Sequence, residues 1–113
     1  MTRQFNFAIS VLIRCEGQGK WAAQCLEYDI AAQGDSIKQA TEKLEQTFIG
    51  QICVDLYTGK DPLEGISPAP RTYWNEFEQA QRLQDHRRPF YLGNRIPPAY
   101  MIQAGADDMR VYA

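Results

Sequence analysis

The stretch from Trp21 to Leu44, WAAQCLEYDIAAQGDSIKQATEKL, carries the clearest pattern in this chain of 113 residues. It begins as an apolar segment, passes through the turn-forming letters QGDS, and continues with the spacing of a helix. The first half predicts two short strands, at 21–26 and 30–33, separated by the acidic segment EYD. The second half predicts a helix, so this stretch by itself indicates an α+β fold.

A longer strand is predicted before it, because residues 4–14, QFNFAISVLIR, alternate between two faces. One face of this strand is a row of aromatic and β-branched side chains. The segment EGQGK at 16–20 supplies two glycines and fits a hairpin turn into the next strand. The sequence therefore predicts a three-stranded antiparallel meander, with the apolar row of its first strand turned toward the helix that follows.

The predicted helix covers 36–57 and has recognisable start and stop signals. Ser36 followed by Gln39 matches a capping box, and Gly34 tolerates the positive φ that many strand-to-helix turns need. Gly50 interrupts the helix at a cost of about 1 kcal/mol relative to alanine, which predicts an element packed close to its backbone. The apolar stripe of this helix, spaced by three or four, consists of Ile37, Ala40, Leu44, Phe48, Ile52 and Leu56.

The composition changes after residue 66, and we divide the chain there into a domain at 1–66 and a proline-containing extension at 67–113. A second helix is predicted at 71–86, with its buried stripe on Tyr73 and Phe77. Segments 99–103 and 108–113 are interpreted as a hairpin around AGAD. The extension is expected to pack on the same domain or on a second subunit.

Charge and cysteine content favour a cytosolic binding protein. The net charge is −2, from 12 basic and 14 acidic side chains, which disfavours direct nucleic-acid binding because phosphate neutralisation dominates that affinity. Three widely spaced cysteines make a disulfide framework or a zinc site improbable. No signal peptide and no membrane-spanning run of about 18 apolar residues is visible. The prediction is a cytoplasmic protein with reduced thiols, no metal and no cofactor.

Candidate catalytic groups have simpler interpretations. His86, the one histidine, lies beside two arginines and is interpreted as surface, while Cys25 without a partner base is interpreted as a buried apolar residue. Glu27 and Asp29 would share one face if they lay on a strand, where they would suit a metal or an acid/base pair. We prefer the loop interpretation, in which both are solvated. No catalytic residue is predicted.

Basic and aromatic residues are combined in DHRRPFY at 85–91, as in nucleic-acid sites, but the segment is short and flanked by acids, which favours a protein contact or an exposed loop. Apolar positions on more than one side of the first helix, and a long apolar first strand with an open edge, predict a homodimer or larger assembly. The predicted protein-contact residues are Trp21, Tyr28, Trp74, Phe77, Arg87 and Arg88.

The ordered series in WAAQCLEYDIAAQGDSIKQATEKLEQTF resembles the N-terminal domain of HicB-family antitoxins. That family typically shows an aromatic–x–alanine strand, a short acidic turn, Gly-Asp-Thr, and a helix with alanine and leucine. The segment DLYTGKDPLEGISPAP is similar to the family's proline-bearing end of that helix, so the resemblance covers about residues 5–70. The matching positions here are Trp21, Ala23, Gly34, Asp35, Ser36, Ala40 and Leu44.

The resemblance implies a small RNase H-like fold without catalytic acids, which covers the active site of a HicA-like toxin. It also implies dimers or larger assemblies. Residues 71–113 lack the DNA-binding domain that full antitoxins usually add, so an orphan or accessory HicB-like protein fits as well. Two alternatives stay open. One is a nucleic-acid-binding regulator that uses the C-terminal arginines, Arg82, Arg87, Arg88 and Arg95; the other is an enzyme that uses Glu16, Glu27 or Asp29.

Overall fold

The computed structural model describes residues 2–83 and 87–112, and within them an α+β fold with one mixed sheet. The helices are α1 (Ile37–Tyr57) and α2 (Arg71–Gln79), and the strands are β1 (Arg3–Gly17), β2 (Lys20–Cys25), β3 (Ala31–Gly34), β4 (Gln81–Arg82), β5 (Arg88–Pro89) and β6 (Tyr100–Tyr112). A turn of 3-10 helix covers Gly93–Arg95. The order of strands in the sheet is β3-β2-β1-β6-β4, and β5 also pairs with β6.

The predicted meander is present in the first three strands. β1 pairs antiparallel with β2, and β2 pairs antiparallel with β3. The hairpin turn from Gly17 to Gly19 runs through positive φ at all three residues, which explains the two glycines. As expected, Ile9, Val11 and Ile13 of β1 are buried in the core cluster that contains the apolar stripe of α1.

The predicted hairpin around AGAD is wrong, because residues 100–112 form one continuous strand, β6, that pairs parallel with β1. The small residues serve another purpose. Ile9 pairs with Ala106 and Ser10 with Asp108, so the intervening Asp107 is an extra residue in the register, a β-bulge. At Gly105, a Cβ atom would lie 2.9 Å from the carbonyl oxygen of Arg88 on the neighbouring strand, which leaves room only for glycine.

The position of β6 weakens one argument for self-association. β1 pairs with β6 along Arg3–Arg14 and with β2 along Val11–Gly17, so it has a strand on both sides at Val11–Arg14. The open edge that led us to expect strand pairing between two copies is therefore closed on the β6 side, while residues 3–9 pair with β6 alone. Since β6 lies beside β1, the single sheet takes strands from both sides of the boundary drawn at residue 66.

The start of α1 follows the sequence signals with two differences. The hydroxyl of Ser36 accepts a hydrogen bond from the amide of Gln39, as a capping box requires. The side chain of Gln39, however, accepts from the amide of Asp35 and not from that of Ser36. Gly34 does not have a positive φ, so our reason for it was wrong. A Cβ atom there would lie 2.6 Å from the amide nitrogen of Ala40, so close packing against the helix requires glycine.

The structure does not show the close contact that we predicted at Gly50. We expected an element packed against its backbone, but among the described residues nothing lies within 4 Å of where its Cβ would be. The outer side of α1 at Gly50 is therefore open.

The second helix is shorter than predicted. α2 ends at Gln79, and the chain continues into β4 at 81–82, where it pairs antiparallel with β6. The predicted range of 71–86 therefore merges a helix with the strand that follows it, and residues 84–86 lie outside the described part. A helix of only nine residues covers a small part of the sheet.

Candidate partner-binding surface

α2 covers one part of the sheet face that points away from α1. Leu12 of β1 and Leu26 form a second buried cluster with Ala69 and Phe77. Arg14 reinforces this contact, since its guanidinium lies over the ring of Tyr73 at 5.4 Å and its Nε lies 3.2 Å from Oε2 of Glu76. That oxygen is buried and accepts no hydrogen bond of good geometry, so its contact with Arg14 is an ion pair without a hydrogen bond.

Arg110 of β6 makes a second set of contacts that hold α2 on the sheet. The Arg110 guanidinium lies 4.3 Å from the centre of the Phe77 ring and donates a hydrogen bond to the Phe77 carbonyl. Arg110 also holds Asp108 with two hydrogen bonds, and Arg82 adds a third. The hydrogen bonds from Arg110, together with those from Arg82, hold the pKa of Asp108 below its usual range despite partial burial.

Beyond α2, the rest of this sheet face forms an open groove of about 800 Å³. Because Phe7, Ala104 and Ala106 pack into the core on the α1 side, strand alternation places their neighbours on the opposite, groove side. On this side the groove floor is formed by Asn6, Ala8, Gln103 and Gly105, which carry no charge; the core residues Phe7, Ala104 and Ala106 between them also border the groove. We call this surface the sheet groove.

Charged residues lie at the rim of the sheet groove. Arg87 and Asp107 both line it and are exposed. Arg88 also lines it, but its Nε donates to Glu45 of α1 at 2.9 Å. The same carboxylate accepts from the backbone amide of Tyr91, so Glu45 fixes the segment at 88–91 against α1. This wall of the groove is therefore anchored to the core of the protein.

The predicted contact residues fall into two groups on opposite faces of the sheet. Trp21 and Tyr28 pack against the α1-side core, and the ring of Tyr28 makes edge contacts with Phe7 and Phe48. Its partial burial raises the pKa of the Tyr28 hydroxyl. Among the others, Arg87 and Arg88 line the sheet groove, while Trp74 and Phe77 belong to the α2 contact. Phe77 is only 7% exposed, so it offers a partner little direct surface.

Two of the carboxylates considered for catalysis, Glu27 and Asp29, have structural partners. Glu27 lies on the loop after β2, where its carboxylate accepts from the amide and the hydroxyl of Ser10 at 2.7 and 2.8 Å. Asp29 accepts from the side chain of Gln24 at 2.9 Å. Burial raises the pKa of the Cys25 thiol to about 12, so the thiolate is scarce at neutral pH. His86 lies outside the described residues.

The sequence analysis did not predict the residues that form the floor of the sheet groove. Gln103 and Gly105 were assigned to a hairpin, which hid the fact that they alternate with buried alanines along one strand. The signal that could have found them is the continuous period of two from Ile102 to Ala106.

Comparison with protein-family models, with curated proteins and with solved structures finds no match to this chain. Separately, in the ranges 2–83 and 87–112, neither helix combines the length and the apolar character needed to cross a bilayer.

Proposed function

We propose that this chain is a non-catalytic, HicB-like protein-binding module, antitoxin-like or an accessory subunit, whose partner lies in the sheet groove. The partner would be a HicA-like toxin or another protein. The observation that carries the proposal is the uncovered sheet face beyond α2, with its uncharged floor and its charged rim. Protein interfaces commonly combine an uncharged centre with a polar rim.

The charge distribution favours a protein over a nucleic acid as the partner. Arg88 is paired with Glu45, and Arg82 shares Asp108 with Arg110, so two of the four C-terminal arginines already make ion pairs within the chain. A third, Arg95, donates to the backbone carbonyls of Leu92 and Tyr91. Nucleic-acid affinity depends on cations that can release counterions from phosphates, and these contacts compete with that role.

The groove can be blocked without disturbing the core. Ala8 is exposed and lines the sheet groove, whereas Ala31 is exposed on β3 and lines a separate depression. Ala8→Trp should fill the groove, and Ala31→Trp is the matched control on the same sheet. In a pull-down from the native host, the wild-type chain and Ala31→Trp should retain a common partner that Ala8→Trp loses.

Equal urea midpoints for the two variants would establish that loss of the partner is not loss of the fold. Retention of the partner by Ala8→Trp would contradict binding in the sheet groove. If the retained species is a nucleic acid, and if replacing Arg87 and Arg88 together flattens the salt dependence of binding, the regulator function replaces the proposed one.

A further inference from the structure

The outer side of α1 carries a seam of residues that no other part of the described chain explains. Thr47, Gly50, Val54 and Tyr57 follow one another at steps of three, four and three, and Lys43 precedes Thr47 by four. Alternating steps of four and three are the spacing with which one helix packs along another. We call Lys43, Thr47, Gly50, Val54 and Tyr57 the outer seam.

The outer seam is exposed where a solitary helix would carry polar groups. Val54 is 58% exposed and Tyr57 is 69% exposed, and among the described residues they are two of the four large hydrophobic side chains that are exposed. A third, Tyr91, lies beside α1, since its amide is bonded to Glu45. The hydroxyl of Thr47 donates to the carbonyl of Lys43, so that polar group is already bonded inside the helix.

Gly50 is the centre of the outer seam. Glycine inside a helix costs about 1 kcal/mol relative to alanine, and among residues 2–83 and 87–112 nothing lies within 4 Å of where its Cβ would be. In membrane helices, a glycine on one face lets the backbone of a second helix approach closely, and the same steric argument applies to this helix.

We propose that α1 pairs antiparallel with α1 of a second copy, with the two helices crossing at Gly50. Lys43 and Tyr57 are each seven residues from Gly50, so a two-fold axis there places Lys43 of each copy against Tyr57 of the other. An ammonium over a tyrosine ring is attractive. Thr47 lies three residues before Gly50 and Val54 four residues after it, so the same axis brings Thr47 beside Val54 of the other copy, and neither side chain carries a charge.

Charge decides between this arrangement and its alternatives. From Gln46 to Tyr57 the one charged residue is Asp55, which is buried and bonded to the amide of Leu63. Over that span antiparallel pairing brings no like charges together, whereas a parallel pair would place Lys43 beside Lys43 of the other copy. The outer seam is self-complementary about Gly50, which is what an isologous contact requires and what an unrelated helix would match only by coincidence.

The area limits the strength of this pairing. A contact between about four turns of two helices buries less than the ~1,200 Å² at which standard interfaces begin. We therefore expect a weak dimer with a dissociation constant in the micromolar range or above it. The inference does not depend on the proposed function, since the sheet groove lies on the opposite face of the sheet.

The test measures mass against concentration for the full chain by light scattering and sedimentation, from about 1 µM to about 1 mM, a range that brackets weak interfaces. Gly50→Leu adds a side chain where the chain itself leaves open space. It should raise the dissociation constant at least tenfold, as expected for a bulky side chain at a close crossing. Lys38→Leu adds the same side chain to an exposed position of α1 outside the outer seam and should leave association unchanged.

Cross-linking gives an independent readout. In a chain with Cys15 and Cys53 replaced by serine, Gly50→Cys should be joined to a second copy by a short bis-maleimide, and Lys38→Cys should not. A monomer across the whole range, a Gly50→Leu dimer as strong as the wild type, or equal cross-linking at the two positions would each overturn the proposal. The urea midpoint of Gly50→Leu at the lowest concentration should not fall, because leucine favours helix more than glycine does.

Discussion

Replacing Asp55 with alanine should destabilise the protein through the loop that follows α1. Asp55 is buried near the end of the helix, and its Oδ2 accepts a hydrogen bond of 2.7 Å from the amide of Leu63. Its Oδ1 accepts from the side chain of Gln51 at 3.0 Å. Leu63 is buried in the core with φ of 65°, a left-handed conformation that leucine rarely adopts. The carboxylate thus holds a strained residue in place.

The magnitude follows from what is left behind. A hydrogen bond to a charged acceptor contributes about 1.5–3 kcal/mol, and a buried amide without a partner costs about 1–3 kcal/mol. These terms overlap, and alanine favours helix more than aspartate by a few tenths of a kcal/mol. We therefore expect Asp55→Ala to lower the free energy of unfolding by about 2–4 kcal/mol.

The measurement is urea unfolding followed by circular dichroism, with the slope checked for constancy. Gln51→Ala is the matched control, because it removes one contact of Asp55 and leaves the bond to Leu63; it should cost less than half as much. Asp55→Asn should fall between the two, since an amide oxygen can accept from one donor while its NH₂ opposes the other. A loss below about 0.5 kcal/mol for Asp55→Ala would refute the reasoning, because surface substitutions reach that size.

Three further outcomes are expected. Since hydrogen bonds hold the pKa of Asp108 below its usual range, its stabilising contribution is complete above the unfolded pKa of about 4 and is lost as the pH falls through the lowered value. The difference in urea midpoint between wild type and Asp108→Asn should thus shrink from pH 6 toward pH 2, and a difference that grows in acid would be inconsistent with this sign. Under native conditions a thiol reagent should label the exposed Cys15 rapidly and the buried Cys25 only on unfolding. Mass spectrometry of the labelled peptides measures this, and early modification of Cys25 would contradict the prediction. Truncation after Pro70 removes β6, the parallel partner of β1, together with the cover of Leu12, so the remaining chain should show no cooperative unfolding transition; a folded fragment would instead support an independent domain at 1–66.

The local features of this fold were readable because each depends on neighbouring residues. Alternation in β1, the two glycines of the first turn, and the Ser36 cap each give their signal within a few positions. The stripe of α1 could be predicted for the same reason, since burial of one helix face requires apolar residues three or four apart. The candidate groove was only half found, through Arg87 and Arg88 at its rim.

The sequence by itself determined the meander, the first helix and the face by which they pack, because hydrogen bonds and spacing between near neighbours specify these elements. The tertiary structure alone decided the place of β6. A parallel strand whose residues lie 97 or 98 positions from their partners leaves no turn signal, and its bulge at Asp107 imitates one. The place of β6 explains why Gly105, pressed against β5, must be glycine, and why β1 has a strand on both sides at Val11–Arg14. It also decides which part of the sheet face that points away from α1 stays open.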